Sequence, residues 1–222
     1  MQDVTITVNG RIVQAEIDER TLLLEFVRDV AGLTGTHNGC LEARCGCCSL
    51  EVDGAIVKSC NVLAVQVDGS SVTTIEGLSP QRLRPVEHIT SQSLAGHYQP
   101  LDAMGADASD LHPVQAAFHA CHALQCGFCT PGMVMVLKNY LEENPEPTRD
   151  DVRTAIAGNL CRCTGYQHII DAGMQAAEAM RGGVCRTAIE SPDGAPTGAG
   201  AQAGAVAGVG AGPGVGVATG EV

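Results

Sequence analysis

Between Gln125 and Tyr166 two tight cysteine pairs bracket a stretch that reads as helical, QCGFCTPGM near the start and GNLCRCTGY at the end. Cys126 and Cys129 form the first pair, Cys161 and Cys163 the second. Both pairs are set among Gly, Pro and Thr, where loops end and helices begin. Thiolates held this closely at helix ends are good ligands for soft metals. Cys161 and Cys163 flank a single residue, so both face one centre only if the backbone turns sharply. Gly158 before them and Gly165 after them permit such a turn. A chain carrying this constellation has to fold so that two distant loops meet.

A second set lies upstream, in residues 34–60, TGTHNGCLEARCGCCSLEVDGAIVKSC. Cys40, Cys45 and Cys48 follow a C-x4-C-x2-C spacing, and Cys60 adds a fourth thiolate. This is the spacing of a plant-type [2Fe–2S] loop. Such a loop wraps its cluster and points backbone N–H groups at the sulfurs, and Gly39 and Gly46 permit the wrapping. The bland alternative is two structural zinc sites, since four thiolates also hold zinc. The spacing of residues 40–60 is uncommon for zinc, whereas that of residues 126–163 decides less. A disulfide framework is disfavoured by the odd count of eleven cysteines and by their clustering. The opening MQDVTITVNG has no basic region, apolar run or twin arginines. No stretch reaches the ~18 consecutive apolar residues of a membrane span. A reduced, cytoplasmic compartment is therefore expected. The net charge of −12 argues against a nucleic-acid surface. With no Trp and 3% aromatics the cores must be aliphatic and small, a condition that bound metal helps to offset.

Residues 3–17 alternate through Val4, Ile6, Val8, Ile12, Val13 and Ile17, with Asn9-Gly10 between the two runs as a hairpin turn. TLLLEFVRDVAG then reads as a helix, capped by Thr21 and stopped by Gly32. Asp53-Gly54 marks a second hairpin, and Val72, Thr74 and Ile75 a further strand. Two strands and a helix are the opening of a ubiquitin-like β-grasp. Helical patterns begin at Pro113, after CGFCTPG through Met133 to Leu141, after the Thr148 cap, and from Tyr166 to Met180. The expected architecture is α+β. A plant-type ferredoxin-like β-grasp domain spans 1–79, a connector 80–112, a four-helix cluster-binding domain 113–181, and a disordered Gly/Ala-rich tail 182–222.

NGCLEARCGCCSLEVDG…KSC, together with LHPVQAAF…LQCGFCTPGM…GNLCRCTGY, resembles the iron–sulfur small subunit of the xanthine dehydrogenase family of molybdenum hydroxylases. TGTH before the first Gly-Cys pair is closest to the aerobic carbon monoxide dehydrogenase style. The resemblance covers residues 3–181, and its second motif is highly specific. It implies two [2Fe–2S] clusters, held by Cys40, Cys45, Cys48 and Cys60 and by Cys126, Cys129, Cys161 and Cys163. It implies a large molybdopterin-binding subunit and a medium FAD-binding subunit, assembled as a heterotrimer or its dimer. In such complexes water supplies the oxygen inserted into the substrate, and this subunit passes electrons from molybdenum to flavin. The helical-domain cluster lies on the molybdenum side, and Gln125 and Cys163 match positions that approach the pterin.

The chain departs from the family at Ala43, where glycine is usual, and at Cys47, where alanine is usual. Ala43 would strain the loop if its φ is positive. Cys47 stands beside the ligand position Cys48, and a small buried side chain is the favoured reading of it. Cys121 is expected to pack between helices and Cys185 to be a free thiol in the tail. His37, His119 and His122 are expected to be loop or surface residues. A freestanding two-cluster carrier is the alternative function, and an apolar surface around the cluster loops would distinguish a subunit from it. Carbon monoxide, purines, other N-heterocycles, aldehydes and aromatic acyl-CoA thioesters all remain open as substrates. Metal analysis should find about four irons and four acid-labile sulfides per chain; two zincs without sulfide would sink the cluster reading.

Overall fold

The computed structural model describes residues 1–79 and 111–182. The expectations for the body of the connector, for the tail and for Cys185 fall outside the described residues. Strands β1 (Gln2–Val8) and β2 (Arg11–Ile17) pair antiparallel, with Val8 opposite Arg11. Asn9 and Gly10 turn between them at φ 49° and 77°. Two successive positive φ values match the twist of the flanking strands, which is why Asn-Gly serves here. Strands β3 (Ser49–Val52) and β4 (Ala55–Lys58) repeat the device with Asp53 and Gly54 at 48° and 85°. Strand β5 (Ser71–Thr73) runs parallel to β1 and antiparallel to β3, giving the order β2-β1-β5-β3-β4. This strand stops before Thr74. Ile75–Leu78 forms a 3₁₀ turn instead of extending it.

Helix α1 is one α turn, Leu23–Glu25, that widens into a π turn over Phe26–Val30. Its start differs from the expected Thr21 cap. The Leu22 N–H is taken by the Glu25 carboxylate at 2.9 Å, and the Thr21 carbonyl accepts from Ala64 N–H at 2.8 Å. Glu25 thus supplies the reach-back half of a capping box. Val4, Ile6 and Val8 from one face of β1 meet Leu23, Phe26 and Val27, and Leu50 and Val72 close this core.

Alternation along β3 decides what lies on the other face. Leu50 joins the α1 core, while Glu51 points to the helical half and meets Lys138 at 2.7 Å, each side chain 13% exposed. The helical half comprises α2 (Pro113–Ala120), α3 (Thr130–Glu143), α4 (Arg149–Ala155) and α5 (Gln167–Met180). Helix α3 starts earlier than expected, with Thr130-Pro131-Gly132 in its first turn, where proline's missing N–H is no loss. Thr148 caps α4 as read from the sequence, with its side chain accepting from Asp151 N–H. A second core, with Phe118, Met133, Leu137, Leu141, Val152, Ile156 and Ile169, lies among these helices. None of the described helices is long and apolar enough to cross a membrane.

Sheet and helices belong to one compact unit within Met1–Ile189. They meet most closely where the first turn of α3 lies on the Cys40–Cys48 loop. A Cβ at Gly132 would fall on the Gly46 carbonyl oxygen and stand 3.1 Å from Cys47 Cα. Asn159, buried, donates to that same carbonyl at 3.1 Å. Gly132→Ala should therefore lower unfolding stability by about 1–3 kcal/mol, the usual cost of overpacking. Denaturant titration of the purified chain would read it, and unchanged stability would show that the loop yields freely.

Candidate metal centres

The loop from Gly39 to Gly46 is built by left-handed residues. Leu41, Ala43 and Gly46 have φ values of 56°, 55° and 73°, so the position held by Ala43 does require positive φ. Alternating backbone conformations of this kind turn successive N–H groups to one side. Glu42 and Cys45 each donate to Cys40 Sγ at 3.4 Å, and Ala43 donates to Cys60 Sγ at 3.3 Å. Gly39 serves by its size. A Cβ there would stand 2.8 Å from Cys45 Sγ.

In the helical half, Gly127 turns at φ 79° between Cys126 and Cys129, and Cys129 is the N-cap of α3. Beyond Cys161 and Cys163 the backbone turns through Gly165 and Tyr166, at φ 66° and 68°. Gly158, expected to help that turn, has no positive φ. It lies in the 3₁₀ turn after α4, and its carbonyl accepts from Lys58 Nζ at 2.9 Å. Tyr166 does what sequence reasoning missed. Its hydroxyl accepts from Cys161 N–H at 2.8 Å and ties the turn to the second cysteine pair. Thr164 Oγ1 adds a contact to Cys161 Sγ at 3.1 Å.

The sulfurs meet in twos. Cys40 contacts Cys45 and Cys48 contacts Cys60 in the first set. In the second, Cys126 lies 3.5 Å from Cys163, and Cys129 contacts Cys161. Among the described residues, no three His, Cys, Asp or Glu side chains gather as one metal ion would require. Two thiolates per iron are what a [2Fe–2S] cluster takes from four cysteines, so the paired donors fit that group.

Each set combines prepared and unprepared thiols. Backbone N–H groups of Cys45 and Glu42 bring the Cys40 thiol down to about 6. The Phe128 amide lowers Cys126, and at Cys161 burial is outweighed by Thr164 and the Cys163 amide, so it too is lowered. Burial pushes Cys60 up to about 11 and Cys129 up to about 12, and a hydrogen bond with Cys126 raises Cys163. A thiol raised in this way has to release its proton when it binds a metal.

Cys47 and Cys48 face opposite ways. Cys48 lies with Leu24 and Cys60, whereas Cys47, 5% exposed, enters the helical core. Cys121 is buried in that core with Sγ donating to Gln175 Oε1 at 2.6 Å, a packing residue as expected. His119 and His122 are exposed. His37 has a larger part than a loop residue: its Nδ1 donates to the Phe128 carbonyl at 2.8 Å, and its ring stacks on Phe128 at 4.8 Å. Leu160 N–H donates to the Cys45 carbonyl at 2.8 Å, so the two cysteine sets are hydrogen-bonded to each other's loops.

Four large apolar side chains are exposed around these loops: Leu41 at 51%, Leu124 at 41%, Phe128 at 47% and Leu160 at 55%. Gln125, Cys126 and Cys163 are exposed beside them.

The family described as 2Fe-2S iron-sulfur cluster binding domain matches residues 6–73, and that described as [2Fe-2S] binding domain matches residues 101–174. The gamma subunit of caffeine dehydrogenase from Pseudomonas sp. (strain CBB1) is 40% identical over 172 residues, 76% of this chain and 87% of that one. The small subunit of nicotine 6-hydroxylase from Paenarthrobacter nicotinovorans is 41% identical over 174 residues, 78% of this chain and 88% of that one. The crystal structure of quinoline 2-oxidoreductase from Pseudomonas putida 86 has a chain that superposes with a TM-score of 0.64 at 40% identity. That match covers 82% of this chain and 98% of the other.

The opposed directions of Cys47 and Cys48 give a direct test. Cys47→Ala should keep the plant-type electron paramagnetic resonance signal, and Cys48→Ala should lose or grossly change it. The reverse result would overturn the pairing of Cys48 with Cys60.

Proposed function

Since this chain belongs to the iron–sulfur small subunits of the molybdenum hydroxylases, the family of xanthine dehydrogenase, we propose how its residues serve that role. It is an electron-transfer subunit with two [2Fe–2S] clusters, working between a molybdopterin site on a large subunit and FAD on a medium subunit. Each cluster, when bound, accepts and returns one electron.

In this reading Cys40, Cys45, Cys48 and Cys60 hold the plant-type cluster within a β-grasp domain of residues 1–79. Cys126, Cys129, Cys161 and Cys163 hold the other within a four-helix domain of residues 113–181. The amides of Glu42, Ala43 and Cys45 favour the thiolate form at Cys40 and temper the buried Cys60. The buried Cys129 and half-buried Cys161 anchor the second cluster, while exposed Cys126 and Cys163 form its outer edge. Gln125 and Cys163 then face the pterin, which their exposure supports. A reducing cytoplasmic setting belongs to the same reading, since thiolate ligands need one.

The observation that carries the subunit role is the apolar rim. Leu41, Leu124, Phe128 and Leu160 each lie within two residues of a proposed ligand and are at least 41% exposed. A freely diffusing carrier needs no such rim, whereas partner subunits would cover it. The substrate contacts lie on another chain. Caffeine, nicotine and quinoline in the relatives' names favour an N-heterocycle within the classes left open by the sequence.

The isolated subunit should show no hydroxylase or dehydrogenase activity. In the assembled complex, Cys129→Ala should leave molybdenum reducible by substrate but abolish flavin reduction and turnover with the acceptor. Normal subunit stoichiometry and molybdenum content are the control, because a cluster also supports folding. Flavin reduced at the normal rate without this cluster would make the cluster structural.

A further inference from the structure

The turn that carries the second cysteine pair closes on itself through three hydrogen bonds. Cys161 N–H donates to the Tyr166 hydroxyl at 2.8 Å. Tyr166 N–H donates to Thr164 Oγ1 at 3.1 Å. Thr164 Oγ1 in turn lies 3.1 Å from Cys161 Sγ. A threonine oxygen that accepts the N–H two residues ahead makes a local turn, which holds the hydroxyl in place. The branch at Cβ stiffens the side chain further. Thr164 and Cys161 are both half-buried, so water competes only in part for this bond.

The direction of the bond to sulfur follows from the chemistry of the two groups. A threonine hydroxyl keeps its hydrogen, and its oxygen here already accepts from Tyr166 N–H. A sulfur that ligates a metal has given up its own hydrogen. The hydroxyl is then the donor and the sulfur the acceptor. In an N–H···O–H···S chain each bond polarises the next, so the last is stronger than it would be alone. Hydrogen bonds to ligand sulfurs withdraw charge from a cluster and ease its reduction. In the first set, Cys40 and Cys60 take such bonds from backbone amides, which a side-chain substitution leaves in place. At Cys161 the donor is a side chain, so a single substitution reaches it.

We propose that Thr164 tunes the helical-domain cluster: its O–H donates a hydrogen bond to the Cys161 sulfur and makes that cluster easier to reduce. The inference deepens the electron-transfer role and rests on Cys161 being a ligand, as proposed above. No atom is transferred. One electron, released by oxidation of the substrate on the large subunit, is taken up, and the proton stays on Thr164. In that reading this cluster is the first to receive an electron. A bond that eases its reduction draws the electron onto the subunit and restrains its onward step to the plant-type cluster.

The test is a potentiometric titration of the assembled complex, followed by electron paramagnetic resonance, with iron counted in parallel. The helical-domain signal is the one that Cys129→Ala removes. Thr164→Val keeps the shape of the side chain without its hydroxyl and should move that signal's midpoint to a more negative potential. The shift expected is on the order of a tenfold loss in the equilibrium for taking up the electron, which is 59 mV for one electron. The plant-type signal and the iron content should stay as in the unaltered protein. Thr164→Ser restores the hydroxyl and should bring the midpoint back. A valine complex with full iron and an unmoved midpoint would overturn the proposal. A serine variant shifted as far as the valine one would also overturn it, because the shift would then come from packing. Should the valine complex lose iron, Thr164→Ala, which leaves the turn room to relax, is read by the same midpoint. Iron falling to about two per chain in both variants would overturn the proposal and leave Thr164 a residue that holds the loop. Cys161→Ala separates this claim from the one beneath it. It should remove the helical-domain signal; a signal that survives would bring down the ligand assignment and the proposal together, whereas an unmoved midpoint at Thr164→Val leaves the assignment standing.

Discussion

The hydrogen bond from Leu160 N–H to the Cys45 carbonyl joins the segment leading into one cysteine set to a candidate ligand of the other. Much of the site depends on that seam. Gly132 lets the first turn of α3 approach the Gly46 carbonyl, and Asn159 donates to the same oxygen. His37 and Phe128 close the outer edge by a hydrogen bond and a ring stack. Each of these hydrogen bonds ends on a backbone carbonyl, and the Asn159 bond is buried, where a lost partner costs about 1–3 kcal/mol. Two loops that each carry anion-forming sulfurs are thus held together by neutral dipoles.

That choice of neutral donors has a reason in the charge of the chain. With a net charge of −12 the protein already repels further anions. Of the cations near the first cysteine set, Arg44 pairs with Glu42 at the surface and Lys58 binds the Gly158 carbonyl. Backbone N–H groups fixed by left-handed residues at Leu41 and Ala43 favour thiolate without a mobile counter-charge. Ala43 and Leu41 bear the strain of that conformation, and the amide-to-sulfur bonds from Glu42 and Ala43 are the local return for it.

Features set by neighbouring residues were legible in the sequence. Asn9-Gly10 and Asp53-Gly54 announce their turns because few other pairs accept two positive φ values in succession. Thr148 announces a cap because its hydroxyl competes for helix N–H groups. The C-x4-C-x2-C spacing pointed to a [2Fe–2S] loop, the spacing of the second set decided less, and the family resemblance supplied the partner subunits and the cofactors they carry, which no spacing could. Features set by contacts across long stretches of chain were not legible. Nothing near Gly132 says that a carbonyl from residue 46 will lie against it, and nothing near His37 names Phe128. Tyr166 read as the start of a helix, because the sequence does not reveal that its hydroxyl folds back onto Cys161. The reach from Glu25 to Leu22 outranked the better-looking cap at Thr21, whose carbonyl was claimed by Ala64.

The bond from Ser79 Oγ to Gln115 Oε1, at 2.7 Å, has a consequence for how such chains diverge. Ser79 is the last described residue before the connector, and Gln115 lies in the first turn of α2. The chain therefore leaves and re-enters at neighbouring points, and residues 80–110 have no gap to bridge. The separation of the two redox centres is set by the seam and is independent of how many residues intervene. Lengthening the sequence between two fixed ends costs only ~0.6 kcal/mol for each doubling. A change in the number of residues between Ser79 and α2 would therefore leave the spacing of the two cysteine sets as the seam fixes it.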